Sequence, residues 1–75
     1  MNVYKLDSGR YIVATWHEHR GCFTVALPPA ERTPGGTHSF SSRSLEECAH
    51  HTRKFASASA AQQHITNYLE GNPDE

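Results

Sequence analysis

The segment that most constrains this chain is PPAERTPGGTH, Pro28 to His38, which holds three prolines and two glycines in eleven residues. Proline lacks the amide hydrogen that a helix or a central strand needs, and paired glycines leave the backbone too free for either. The segment therefore reads as a flexible connection between two halves, and as the stretch expected to be most mobile. On its N-terminal side apolar residues recur with period two, and on its C-terminal side the period lengthens towards 3.6. The expected architecture is a single small soluble α+β domain. A three-stranded antiparallel meander spans 1–27, a loop spans 28–38, two helices packed on one face of the sheet span 44–70, and a tail spans 71–75.

The turns spell out the meander. VYKL runs into Asp7-Ser8-Gly9, a three-residue hairpin loop with glycine where a left-handed conformation is wanted, and this register pairs Tyr4 with Ile12. The next run, RYIVATWHEH, is rich in β-branched and aromatic residues. If Arg20 and Gly21 form a two-residue turn, His19 faces Cys22, His17 faces Thr24 and Trp16 faces Val25. Tyr4, Leu6, Ile12, Ala14, Trp16, Phe23, Val25 and Leu27 then share a core face, and His17, His19, Cys22 and Thr24 an open one. Phe40 or Phe55 could end a short fourth strand.

In the second half, Ser44 followed three residues later by Glu47 makes a capping box for a helix from about Leu45 to Arg53. Leu45, Cys48, Ala49 and Thr52 would face inward, with His50 and His51 mostly outside. For the last helix Ser57 or Ser59 is the cap, and Ala58, Ala61, Ile65, Tyr68 and Leu69 form the apolar stripe. Gly71 suits its C-terminal cap, and Pro73 forbids continuation.

The core must be thin. Ile, Leu, Val and Phe make up 12 of 75 residues, below the roughly 20% at which disorder is suspected. Disorder of that kind also requires a large net charge, and here 7 Lys and Arg nearly balance 8 Asp and Glu. A folded domain that gains stability from a partner or a second copy fits this balance. The scattered cations give little footprint for a phosphate backbone, so direct nucleic-acid binding is not the expectation. Six histidines qualify this, since their protonation near pH 6.5 would carry the formal charge from −1 towards +5. MNVYKLDSGR has no apolar core segment and reads as strand and turn rather than as a leader. No run approaches the roughly 18 apolar residues of a membrane span. Cys22 and Cys48 are expected as free thiols in a reducing cytoplasm.

WHEHRGC, Trp16 to Cys22, is the one dense cluster of reactive side chains. In the register above, His17, His19 and Cys22 could converge on a metal at one rim of the sheet, with a further donor from Cys48, His50 or His51. The spacing matches no standard zinc pattern, so no metal or other cofactor is expected and the hairpin alone accounts for it. Nucleophilic catalysis fares no better, because Glu18 points away from His19 and Cys22, and Cys48, His50 and His51 diverge around a helix.

Two resemblances rest on element order. The meander from Tyr4 to Leu27 with a helix near Ala58 resembles the small DNA-binding domains at the N-termini of phage integrases. That likeness implies a sheet face reading the major groove, although the face with Thr15, His17, His19 and Thr24 lacks the Arg and Lys such domains use. In length and layout the chain also resembles small phage-encoded inhibitors of host defence of the anti-CRISPR type. This second likeness implies a non-enzymatic cytoplasmic protein that binds and occludes a larger host protein or protein–nucleic acid complex. The surface selected on these grounds is the hairpin and its exposed side: His17, Glu18, His19 and Arg20, with Arg10 and Arg32, and Tyr11 as an exposed aromatic anchor. Pairing of the first strand with a second copy is the other use of the same half.

Overall fold

The computed structural model describes residues 1–32, 34–36 and 38–71. Strands β1 (Asn2–Lys5), β2 (Tyr11–His17), β3 (Cys22–Ala26) and β4 (Ser39–Ser42) form one antiparallel sheet in the order β1-β2-β3-β4. Helices α1 (Leu45–Ala49) and α2 (Ala58–Glu70) follow. The α+β meander with helices is thus the architecture, and the extra strand forms at Phe40.

The first hairpin forms as expected, with Tyr4 opposite Ile12. The Leu6 amide donates to the Arg10 carbonyl at 2.7 Å and the Gly9 amide to the Leu6 carbonyl at 2.9 Å, with Gly9 at φ 91°. The second hairpin differs. His17, not His19, lies opposite Cys22, and Trp16 lies opposite Phe23. The loop is the four residues 18–21, closed by the amides of Arg20 and Gly21, which donate to the His17 carbonyl at 3.2 and 2.8 Å. A two-residue loop needs a left-handed residue at its first position, which would be Arg20. Among the described residues only glycines take positive φ, Gly21 at 63° among them, so the turn widens to place the left-handed residue last. The shift amounts to two residues, which keeps the remaining strand residues of β2 and β3 on their assigned faces, whereas Glu18 and His19 pass into the loop and Leu27, beyond the end of β3, lies with the residues of the opposite face.

Between the sheet halves, a 3-10 turn at Pro29–Glu31 and a bond from the Leu27 amide to the His38 carbonyl (2.9 Å) tie down part of the connection read as flexible. Residues 33 and 37 of that segment, and the tail from 72 onward with Pro73, lie outside the described residues. Ser44 caps α1, with the Glu47 amide donating to Ser44 Oγ at 3.2 Å, but the Ser44 amide donates to Ser42 Oγ at 3.1 Å and not to the Glu47 side chain, so only half of the expected capping box forms. This helix stops at Ala49, however, four residues short of the expected Arg53. Beyond it His51 stacks on Phe40 at 4.0 Å, and Thr52 Oγ1 donates to the Ala26 carbonyl at 2.9 Å. Phe55 then exchanges backbone hydrogen bonds with Tyr11 at 2.8 and 2.9 Å.

That crossing corrects the expected layering: the helices take one face each. α1 closes a cluster of Leu6, Ile12, Ala14, Val25, Cys48 and Ala49, flanked by Tyr4, Phe23, Phe40 and Leu45. α2 closes a second cluster of Val13, Phe55, Ala61 and Ile65, flanked by Val3 and Tyr11. The cause lies in β2, where Ile12, Val13 and Ala14 are all buried. Successive strand residues face opposite ways, so an unbroken apolar run needs cover on both sides. Each fully buried aliphatic side chain contributes on the order of 1.5–3 kcal/mol, so neither cluster is dispensable in a chain this short.

Candidate functional site: a half-covered sheet face

α2 rests on β1 and β2 and, among the described residues, no helix covers the same face of β3 and β4. Along these strands large and small residues alternate. Phe23, Val25 and Phe40 point to the α1 side, and Thr24, Ala26, Ser39 and Ser41 to the other. Small polar side chains offer a helix little apolar area to bury. The result is an open groove of about 910 Å³, towards the upper end of the 300–1,000 Å³ typical of binding clefts.

The groove draws on β2, β3, the start of β4, the connections beside them and α2. Its floor includes Thr15, Thr24, Ala26 and Ser39, with Thr24 Oγ1 and Ser41 Oγ 3.1 Å apart in a hydroxyl pair beside it. One wall is the C-terminal half of α2, which contributes His64, Tyr68 and Leu69. The connection after β3 contributes Leu27, Pro28, Arg32 and His38, where Arg32 Nε donates to the Leu27 carbonyl at 2.8 Å. At the end near the crossing, the Arg53 guanidinium lies 4.7 Å from the centre of the Phe55 ring, and His64 packs against that ring at 5.3 Å.

Tyr68 and Leu69 are the unexpected members. Both belong to the apolar stripe of α2, yet they are 66% and 75% exposed while Ala61 and Ile65 of the same stripe are buried. The pattern is that of a core helix, and its last turn overhangs the bare half of the sheet. A stripe that continues past its intramolecular partner was visible in the sequence; that the partner ends first was not, because it depends on where the sheet lies beneath the helix.

The residues selected from the sequence divide between the two ends of β2. Glu18, His19 and Arg20 are exposed in the second hairpin loop, with His17 half-buried beside them, whereas Arg10 and Tyr11 sit at the opposite end of the strand. Tyr11 is half-buried against the α2 cluster rather than exposed, so it does not present the anchor expected of it. Only Arg32 lines the groove. His17, His19 and Cys22 do not form a trio: His19 belongs to the loop, and among the described residues no three His, Cys, Asp or Glu side chains are grouped to hold a metal ion. On the α1 face Trp16, placed in the core by its register, is 45% exposed and leans on Phe23 at 4.8 Å, because α1 sits over β3 and β4 and stops short of it.

Both cysteines are free and buried. Burial pushes the Cys48 thiol above its ordinary value, with Glu47 and Cys22 adding to the rise and the Ser42 backbone opposing it. Its Sγ lies 3.9 Å from the carbonyls of Phe23 and Ser42. A neutral thiol in this position packs the α1 face and is a poor nucleophile. No helix among the described residues is long and apolar enough to cross a membrane. A scan of family models and searches of curated proteins and solved structures return no match.

Proposed function

We propose that this protein is a non-enzymatic binding module that acts by occupying a surface on a larger protein, with the groove beside α2 as its contact site. The observation that carries the reading is the exposed last turn of α2. Tyr68 and Leu69 continue a core-type stripe over a bare sheet half, and apolar and aromatic side chains next to a cleft are what protein interfaces recruit. The free thiols of Cys22 and Cys48 suit a reducing cytoplasm. In its narrower form the partner is a host defence complex and the module an inhibitor that occludes it; chain length and element order support that form. A DNA-reading sheet is the weaker use of this face. α2 lies across its β1 and β2 half, and β2, β3 and β4 carry no Lys or Arg.

The test is to fill the groove. A Thr24→Trp variant places an indole on the floor, where Thr24 is only half-buried, so the fold has room for it. The expected result is a partner recovered stoichiometrically by the wild-type protein and lost by the variant, with unchanged melting. A partner held equally by both would move the interface elsewhere. If the wild-type protein sediments as a stable dimer and the variant as a monomer, the groove serves self-association and the binding-module reading fails.

A further inference from the structure

Among the described residues the ionisable side chains of the groove have one sign: Arg32, His38, Arg53 and His64 line it, and no described Asp or Glu does. The described acids lie elsewhere, so among the described residues this segregation belongs to the groove and not to the composition. Asp7 and Glu18 are in the two hairpin loops, and Glu46 and Glu47 are on α1 at the other face. Glu31 and Glu70 neighbour the groove in sequence without lining it.

Of the four lining groups, Arg32 is the cation on the connection after β3, away from the α2 wall that carries Tyr68 and Leu69. The bond from Arg32 Nε to the Leu27 carbonyl uses one of five guanidinium donors and tethers the group there, leaving the terminal N–H groups to other acceptors. A guanidinium recognises a carboxylate through parallel N–H groups. On the α2 wall, Leu69 and Tyr68 offer apolar area that an occupant must match. A nucleic-acid backbone would call for a run of Lys and Arg, and the groove holds two Arg and no Lys.

On the reading given above, on which this depends, we infer that the groove takes an acidic linear segment of a partner protein. A carboxylate of the segment meets Arg32, and an apolar side chain a few residues away lies across Leu69 and Tyr68.

The probe is a display library of random linear peptides selected on the immobilised full-length protein, followed by fluorescence polarisation with the enriched sequences. Peptides that join Asp or Glu to a nearby Leu, Ile, Phe or Trp are the expected winners. Their affinity should fall by about tenfold or more in Arg32→Glu and in Leu69→Ser. It should hold in Trp16→Ser, on the opposite face, and a peptide whose acid is replaced by Lys should regain affinity for Arg32→Glu. Matching melting curves separate these losses from misfolding. Enriched peptides that lack acids but are lost in Thr24→Trp would overturn the acidic class and leave the binding module standing. An empty selection, or peptides indifferent to Thr24→Trp or dependent on Trp16, would overturn both. Competition by a short single-stranded DNA at equal concentration would overturn the peptide assignment in favour of phosphate.

Discussion

The two faces of the sheet are covered by helices of unequal length, and the shorter helix does the more complete job. α1 spans only Leu45–Ala49, yet all four strands or their flanks contribute to the cluster it closes, through Tyr4 or Leu6, Ile12 and Ala14, Val25, and Phe40. α2 spans Ala58–Glu70 and closes a cluster drawn from β1, β2 and Phe55 alone. What differs is the size of the side chains beneath. β3 and β4 give Phe23, Val25 and Phe40 to one face and Thr24, Ala26, Ser39 and Ser41 to the other. Cover is set by what the strands offer, not by helix length, and the leftover length of α2 becomes the wall of a groove.

The largest effect expected from this contrast is on the closed face. Ile12 has no exposed surface, so Ile12→Ala should destabilise the fold by about 2–5 kcal/mol. That is a large share of the roughly 5–15 kcal/mol that holds a typical domain together. Urea unfolding followed by circular dichroism measures it, and a loss below about 1 kcal/mol would mean that the α1 face is not a packed core. Next in size is Ala61→Leu. Ala61 is fully buried where α2 meets the sheet, and forcing a larger side chain there should cost about 1–3 kcal/mol. Amide exchange should then quicken along α2 while the α1 cluster keeps its protection. Uniform loss across both helices would show the two faces to be one cooperative unit.

Much of this contrast was legible in the sequence, and the part that was not has definite causes. The capping serines Ser44 and Ser57, the left-handed Gly9 and Gly71, and the parity that sends Ile12 inward with Val25 are local features, and local chemistry decided them. The second turn was also decidable, since Arg20 at the first position of a two-residue loop would need a positive φ that only glycine takes readily. The run Ile12-Val13-Ala14 was a sign of a doubly covered strand. A meander is ordinarily packed on one side only, so the expectation of one covered face outweighs that run. The route of residues 50–55 was beyond local reading: it depends on His51 meeting Phe40 and on Phe55 meeting Tyr11, pairs far apart in the chain. The groove inherits that limit, since its wall exists only because the crossing delivers α2 to the second face.

A smaller effect tests the chemistry of the closed face. The native Cys48 thiol is held above its ordinary value of 9.0. A raised native pKa means that the folded state keeps its proton longer than the unfolded chain does. The corresponding stability is fully present below about pH 9 and declines as the pH rises from there through the native value. Replacing the thiol, Cys48→Ala, should cost about 1 kcal/mol at neutral pH through lost packing. It should also flatten the alkaline decline in melting temperature. An alkaline decline of equal slope in wild type and variant would show that Cys48 does not report the closure of the α1 face.

The smallest effect on stability is expected on the open face, and its smallness is the point. Leu69 belongs to the same stripe as Ala61 and Ile65 but is 75% exposed. Leu69→Ser should therefore move the unfolding free energy by no more than about 0.5 kcal/mol. A serine there removes apolar area that only a partner would bury, so stability and partner capture should separate in this one variant: melting unchanged, binding lost. In a helix whose stripe was simply core, the two would fall together. A destabilisation above about 1 kcal/mol would place Leu69 among packed residues in solution. The groove would then be closed, and the contrast between the two faces of the sheet would disappear with it.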